Sequence, residues 1–426
     1  MTSQRYVGIF FGVAALLLGA VAAINTAVDP YGIFATPLKH GWNEAKPEAG
    51  RWPAITKPFV LQRRAADVVF LGSSRTAVGL NPHHPALQGA SAYNLGINGA
   101  NMAQVRAMFD HACAIHPPRM AVLGLDFYAF NRYDAGRTDF DPALLATNPR
   151  WEPGLSNIRK IGLALGWQML TSSLKTVRAQ SDYKPAGWAL DGVGQIEADA
   201  VDALIGERGS QRQAFLDNEK SYIGGVYLPA PRRTYDLDLG SDISPMAQLR
   251  RVARESRRHG IELHLFISPV HARQQEVIRG LGLWGKFEEW KRVLVYMLES
   301  EAREQPGAHP FPLWDFSGYH SISTEPVPPA SERAARMHWY WESSHYRSET
   351  GDLVLNRMLG AGAPDADLPA DFGVRIDSGN IDAHLTAICG AQATYAADHP
   401  DDVAVIGELI RRAPYRPATM TAKAAQ

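Results

Sequence analysis

Asp67-Val68-Val69-Phe70-Leu71-Gly72-Ser73-Ser74-Arg75-Thr76 reads as a buried β-strand that stops abruptly at a glycine and two hydroxyls. A short apolar run rich in β-branched residues and ended by Gly predicts a central strand of a parallel sheet. In open α/β sheets the reactive groups gather at the carboxyl ends of the strands. The two serines are therefore candidate nucleophiles, although Gly-Ser-Ser by itself is also an ordinary turn. Far downstream lies His338-Trp339-Tyr340-Trp341-Glu342-Ser343-Ser344-His345-Tyr346. It supplies a carboxylate and an imidazole three residues apart, just ahead of a predicted helix. A serine, a histidine and a carboxylate are the parts of an acyl-transfer site.

Outward from the first strand, residues 91–99 (SAYNLGING) read as a second strand running into a glycine-rich turn. Residues 100–115 follow as an amphipathic helix, with Met102, Val105, Met108, Phe109 and Ala112 at helical spacing, stopped by Pro117-Pro118. Residues 119–126 form a third strand ending at Asp126. Strand, strand, helix, strand in this order predicts a parallel sheet with covering helices. Regularity returns at Ser244-Pro245, an N-cap followed by Pro at the first helical position, with Gly260 as the helix stop. A strand at 261–270, a helix at 284–303, a short strand at 312–316 and a closing helix at 346–359 complete the pattern.

The chain divides on this reading into residues 1–28, a linker at 29–60, a main domain at 61–360 and a C-terminal extension at 361–426. The linker carries Pro37, Pro47, Pro53 and Pro58 and reads as extended. The main domain holds an insertion at about 130–240, with one helix near 155–178 and polar, Gly-rich stretches after it, which is expected to cap the site. The extension begins with a Pro-, Asp- and Ala-rich stretch after Gly360 and adds one or two short helices in 380–412.

Tyr6 to Val28 is uncharged and follows Arg5. About 20 apolar residues span a bilayer as a helix, so an uncleaved inner-membrane anchor is expected. Arg5 on the leading side places the remainder outside the cytoplasm. Ala20-Val21-Ala22 keeps a cleaved signal peptide open as the alternative.

Composition narrows the class further. The 426 residues are 46% hydrophobic and carry a formal net charge of −1, which argues against a nucleic-acid partner held by bulk charge. Cys113 and Cys389 have no metal-ligand spacing and are expected as separate buried thiols. His83 and His84 stand between prolines with no third ligand in range, so a solvated loop is expected and no metal. Ten tryptophans and fifteen tyrosines suit carbohydrate stacking or simply fill a core.

Taken in order, strand-Gly-Ser-Ser, Asn-x-Gly-x-x-Gly, a strand ending in a polar loop, and acid-x-x-His before the last helix resemble the SGNH (GDSL-like) hydrolase superfamily. The likeness is greatest to its membrane-anchored bacterial members linked to O-acylation of surface polymers. It covers about residues 61–360 and is specific at three short blocks. The resemblance implies a flavodoxin-like three-layer α/β/α fold with a mostly parallel sheet. It implies Ser74 as nucleophile, His345 as base and Glu342 as its orienter. The amides of Ser74 and Gly99 would hold the oxyanion. No cofactor is implied. The implied partners are a cell-envelope polysaccharide or other O-acylated polymer, the inner membrane and a membrane acyltransferase. Two departures stand out. Glu342 replaces the usual Asp, and the third block ends Gly124-Leu125-Asp126 with no asparagine for the oxyanion. Asp126 is left with two roles, orienting a neighbour or holding Arg75. Arg75, Asn98, Asp126 and His271 are the candidate substrate contacts, and Arg75 could pair with an anionic sugar or with Asp126.

Overall fold

The computed structural model describes residues 3–147, 151–184, 187–360 and 368–414. The chain opens with α1 (Ser3–Val28), α2 (Pro53–Leu61), β1 (Val68–Leu71) and the short α3 (Ser74–Gly79). Next come β2 (Ala92–Asn94), α4 (Met102–Ile115) and β3 (Met120–Leu125). The middle of the chain is helical: α5 (Glu152–Ala164), α6 (Trp167–Arg178), α7 (Ala198–Glu207), α8 (Gln211–Ser221) and α9 (Pro245–His259). Then follow β4 (Glu262–Ile267), α10 (Ala272–Gly280), α11 (Trp284–Arg303), β5 (Leu313–Asp315) and α12 (Ser348–Leu359). β6 (Val374–Arg375), α13 (Ile381–Asp398) and α14 (Pro400–Arg411) close the chain.

The six strands form one sheet in the order β2-β1-β3-β4-β5-β6. The first five run parallel, and β6 joins β5 antiparallel. The order 2-1-3-4-5 reverses direction between β1 and β3, and that reversal opens a crevice at their carboxyl ends. Strand side chains alternate between faces. Val69, Leu71, Ala121, Leu123, Leu263 and Leu265 pack beneath Phe109 of α4, Val252 of α9 and Trp290 of α11. Val68, Phe70, Val122 and Phe266 pack against Tyr340, Tyr346 and the α12 residues Val354 and Leu355. Helices therefore cover both faces, and the central strands β1 and β3 are buried on both, as their unbroken apolar runs require.

Several expectations are revised. The segment 29–60 is not an extended linker. Its proline at 53 starts α2, where the missing N–H costs nothing, and α2 docks on the domain with Lys57 fully buried. The helix expected near 155–178 is two helices broken at Leu165-Gly166. The extension is part of the sheet: it supplies β6, and Ile381, Leu385, Tyr395 and Ile410 enter the main core. Cys389 is exposed rather than buried. His84 is buried and caps the turn at Pro85–Leu87, accepting from the Ala86 amide at 3.1 Å. The Pro-, Asp- and Ala-rich stretch at 361–367 and residues 415–426 lie outside the described residues.

The helix α1 is long and apolar enough to cross a membrane, and none of its most apolar stretch is buried in the protein. Its last turn is tied to the domain. Asn25 Nδ2 donates to the Ala164 carbonyl at 2.8 Å, and Ser173 Oγ donates to Asn25 Oδ1 at 2.9 Å.

Candidate active site

Gly72 ends β1 at φ +141°, in register beside Gly124 of β3. A Cβ there would stand 2.4 Å from Thr76 Oγ1 and 3.0 Å from the Gly124 carbonyl, so only glycine makes this turn. Ser73 then caps α3, its hydroxyl accepting from the Arg75 amide at 3.2 Å, and Ser74 is the first helical residue. Asn94, at the end of β2, donates to the Thr76 and Leu80 carbonyls at 2.9 and 3.0 Å and holds α3 against the sheet.

The second half of the site is a tight loop. Tyr340 and Tyr346 face each other across an antiparallel bridge, and the Trp341 amide donates to the His345 carbonyl at 2.9 Å. The Glu342 carboxylate accepts from the Ser344 amide at 2.8 Å and from His345 Nδ1. His345 Nε2 lies 2.7 Å from Ser74 Oγ. The structure thus brings Ser74, His345 and Glu342 into one chain of contacts across 271 positions of sequence. Two glycines set that approach. A Cβ at Gly351 of α12 would fall 1.8 Å from the Gly79 carbonyl, and one at Gly79 would fall 1.9 Å from the Tyr346 ring. The end of α3 and the start of α12 therefore cross in direct backbone contact. We expect Gly351→Ala to push α12 away and lower kcat on an aryl acetate by about a hundredfold, since misplacement by an ångström costs on that order. An unchanged kcat would show that the crossing does not set the Ser74–His345 distance.

Arg75 and Asp126, expected as candidate substrate contacts, are paired with each other inside the protein. Both are buried, and Arg75 Nη1 bonds Asp126 Oδ1 at 2.7 Å while Ser73 Oγ donates to Asp126 Oδ2 at 2.5 Å. Arg75 Nη2 also donates to the Tyr222 hydroxyl at 3.1 Å, and the guanidinium sits 5.7 Å from the Tyr128 and Tyr222 ring centres. Burial by itself would lower the Arg75 pKa, but Asp126 and the surrounding phenols raise it well above its ordinary value. Asp126 fills both of the roles open to it, orienting its neighbour Ser73 and holding Arg75 behind the Ser74 turn.

His271, the fourth of these candidates, is packed inside the protein. It is buried at the N-terminus of α10, its Nδ1 accepting from the Arg273 amide at 3.2 Å and its Nε2 lying 2.8 Å from the Glu325 carbonyl. Burial lowers its pKa to about 4, so the ring is neutral. Its amide donates to the Ser343 carbonyl at 3.0 Å and pins the loop that carries Glu342. Asn98 is half-buried, and its carbonyl accepts from Arg137 at 3.3 Å. Gly99 is exposed. The loop that bears it abuts the nucleophile turn, because the Ile97 amide donates to the Gly72 carbonyl at 3.0 Å. Among the described residues the Ser74 and Gly99 amides have no protein acceptor.

Three residues escaped the sequence reading. Trp188 lies with its ring centre 5.7 Å from that of His345. It belongs to the capping segment, which is built onto α3 and β2: Ile196 donates to the Ala77 carbonyl at 2.9 Å, and Asn94 donates to Val193 at 2.9 Å. Tyr222 follows α8 and reaches Arg75. Lys57 donates to the Gly96 carbonyl at 2.5 Å and so holds the loop leading to Gly99. Nothing local in the sequence marks them.

Lys57 gives a pH prediction. Burial lowers its pKa to about 7 from an ordinary value near 10.5, against the pull of Asp191. Between those two values the unfolded chain binds a proton that the native chain does not. Stability therefore rises with pH across that window, by on the order of 1 kcal/mol per unit. Denaturant unfolding in detergent, from about pH 7 to about pH 9, should show this rise, and Lys57→Met should flatten it. An equal slope in both proteins contradicts the assignment.

Among the described residues no group of three or more His, Cys, Asp or Glu side chains could hold a metal ion. What the arrangement can do chemically is pass the Ser74 hydroxyl proton to His345, with Glu342 on the far ring nitrogen. No protein-family model matches the chain, and a search of curated proteins finds no match.

Proposed function

We propose that this chain is a serine esterase or O-acyltransferase of the SGNH-hydrolase type, anchored in the inner membrane with its domain outside the cytoplasm. Its substrates are O-acyl groups, acetyl-like in size, on a cell-envelope polysaccharide. The observation that carries the reading is the run of contacts from Ser74 Oγ through the His345 ring to Glu342, at the crevice where a doubly wound sheet places its chemistry. His345 Nε2 takes the Ser74 proton as Oγ adds to the acyl carbonyl. The Ser74 and Gly99 amides receive the developing oxyanion. His345 returns the proton to the departing sugar oxygen, and an acyl-enzyme remains on Ser74. Water or a second hydroxyl then takes the acyl group by the reverse sequence. The half-buried indole of Trp188 beside His345 offers a flat apolar face of the kind sugar rings stack on.

A second reading, a polymer-binding scaffold without turnover, is favoured by one observation. Asp126 stands where an oxyanion asparagine is usual, and both its oxygens are taken by Ser73 and Arg75. Loss of one such donor costs about 10²–10³ in rate, which slows a catalyst without abolishing it. The deciding assay follows acetyl groups on an O-acetylated polysaccharide. Wild type should release or transfer acetate, and Ser74→Ala should not. Polymer binding by both proteins with turnover by neither would establish the scaffold instead.

A further inference from the structure

The helix α5 is built inside out for a soluble domain. Three of its polar residues face the protein: Glu152 is buried and pairs with Arg159 at 2.5 Å, and Ser156 is buried and donates to Gln62 at 2.5 Å. Its apolar residues face outward. Leu155, Ile158, Ile161 and Leu165 fall on one stripe, with Ile158 67% and Ile161 60% exposed. A surface helix ordinarily turns such a stripe to the core. Trp167, 73% exposed, opens α6 directly beyond it. An exposed apolar stripe of this length marks a surface that meets something other than water.

What meets it follows from where α5 is attached. The turn between α5 and α6 is bonded to Asn25, where the exposed apolar surface of α1 ends. The Leu165 end of the stripe thus sits beside the last turn of the candidate membrane span. Arg159 is paired with Glu152 and Lys160 lies over the Phe59 ring, but α6 carries the exposed Lys175 and Arg178 and no acid, a balance that suits anionic headgroups. Tryptophan is the residue favoured at the membrane–water boundary. We infer that α5 lies in the plane of the membrane interface, its Leu155–Leu165 stripe among the acyl-chain ends and Trp167 at headgroup depth, as a second contact beside α1. The domain is then held at a fixed tilt against the bilayer. This inference rests on α1 being the anchor.

The test uses the full chain in vesicles of phosphatidylethanolamine and phosphatidylglycerol, with Cys389 changed to serine and buried Cys113 left in place. Spin labels are introduced through Leu17→Cys, Ile158→Cys, Ile161→Cys and Ile243→Cys, all exposed positions that leave the core intact. Ile243 serves as the water reference and Leu17 as the lipid reference. The ratio of oxygen to nickel-chelate accessibility at 158 and 161 should exceed that at 243 several-fold. Equality with 243 while 17 reads as lipid overturns the in-plane helix and leaves the anchor standing. Shielding of 158 and 161 from both reagents shows a protein covering the stripe, a second copy or a partner, and also overturns it. An aqueous reading at 17 removes the anchor and this inference together.

Discussion

Replacement of Ser74 by alanine lowers acyl turnover roughly 10⁴–10⁶-fold and leaves the fold intact. Ser74 is the hydroxyl that His345 Nε2 reaches at 2.7 Å. Ser73 is one residue away, but its Oγ already donates to Asp126 and accepts from the Arg75 amide. Removing the Ser74 hydroxyl deletes one oxygen from a residue on α3, so unfolding should shift little. Ser73→Ala should cost less activity, through a weakened cap, while retaining Ser74 as the nucleophile. Turnover of an aryl acetate by the two variants separates the roles, and equal losses in both would contradict the assignment.

The largest effect on stability is expected at Asp126. Asp126→Ala leaves the Arg75 guanidinium buried among tyrosine rings with its carboxylate gone. Breaking a buried pair from one side costs about 3–5 kcal/mol, because the remaining charge is uncompensated. Replacing both partners by apolar residues of similar volume removes that charge and costs much less. Denaturant midpoints for Asp126→Ala and for Arg75→Met combined with Asp126→Leu should therefore differ, with the double variant the more stable. The activity readout differs again. Both variants lose the Ser73–Asp126 bond that fixes the turn before Ser74, so both should lose kcat. A double variant as unstable as the single would show that packing, not charge, sets the cost.

The sheet was legible in the sequence wherever burial leaves a continuous apolar run. β1 and β3 are such runs, β4 is one but for Glu262 and His264, and α9 sits between a serine cap and a terminal glycine, as read. Ser74, His345 and Glu342 were legible because two short blocks carry them at fixed local spacing. The wall around them was not. Trp188, Tyr222 and Lys57 act through partners far along the chain, as the 147 positions between Arg75 and Tyr222 show. Their own neighbours give no periodic signal. The burial of Arg75, Asp126 and His271 was hidden for a related reason. A polar residue at the carboxyl edge of a strand looks available to substrate until the layer above it is placed. Here α8, the Tyr222 turn and the Glu342 loop bury all three. The Gly79–Gly351 crossing was equally hidden, since close backbone approach depends on where α12 lands.

The central claim is that Ser74 is the nucleophile of this site. Its most direct test is the intact mass of the full-length protein after reaction with a fluorophosphonate, followed by mapping of the labelled peptide. The expected result is a single adduct on Ser74 that is absent from Ser74→Ala and strongly slowed in His345→Ala. An adduct that survives Ser74→Ala, or that maps to Ser73, would contradict the account.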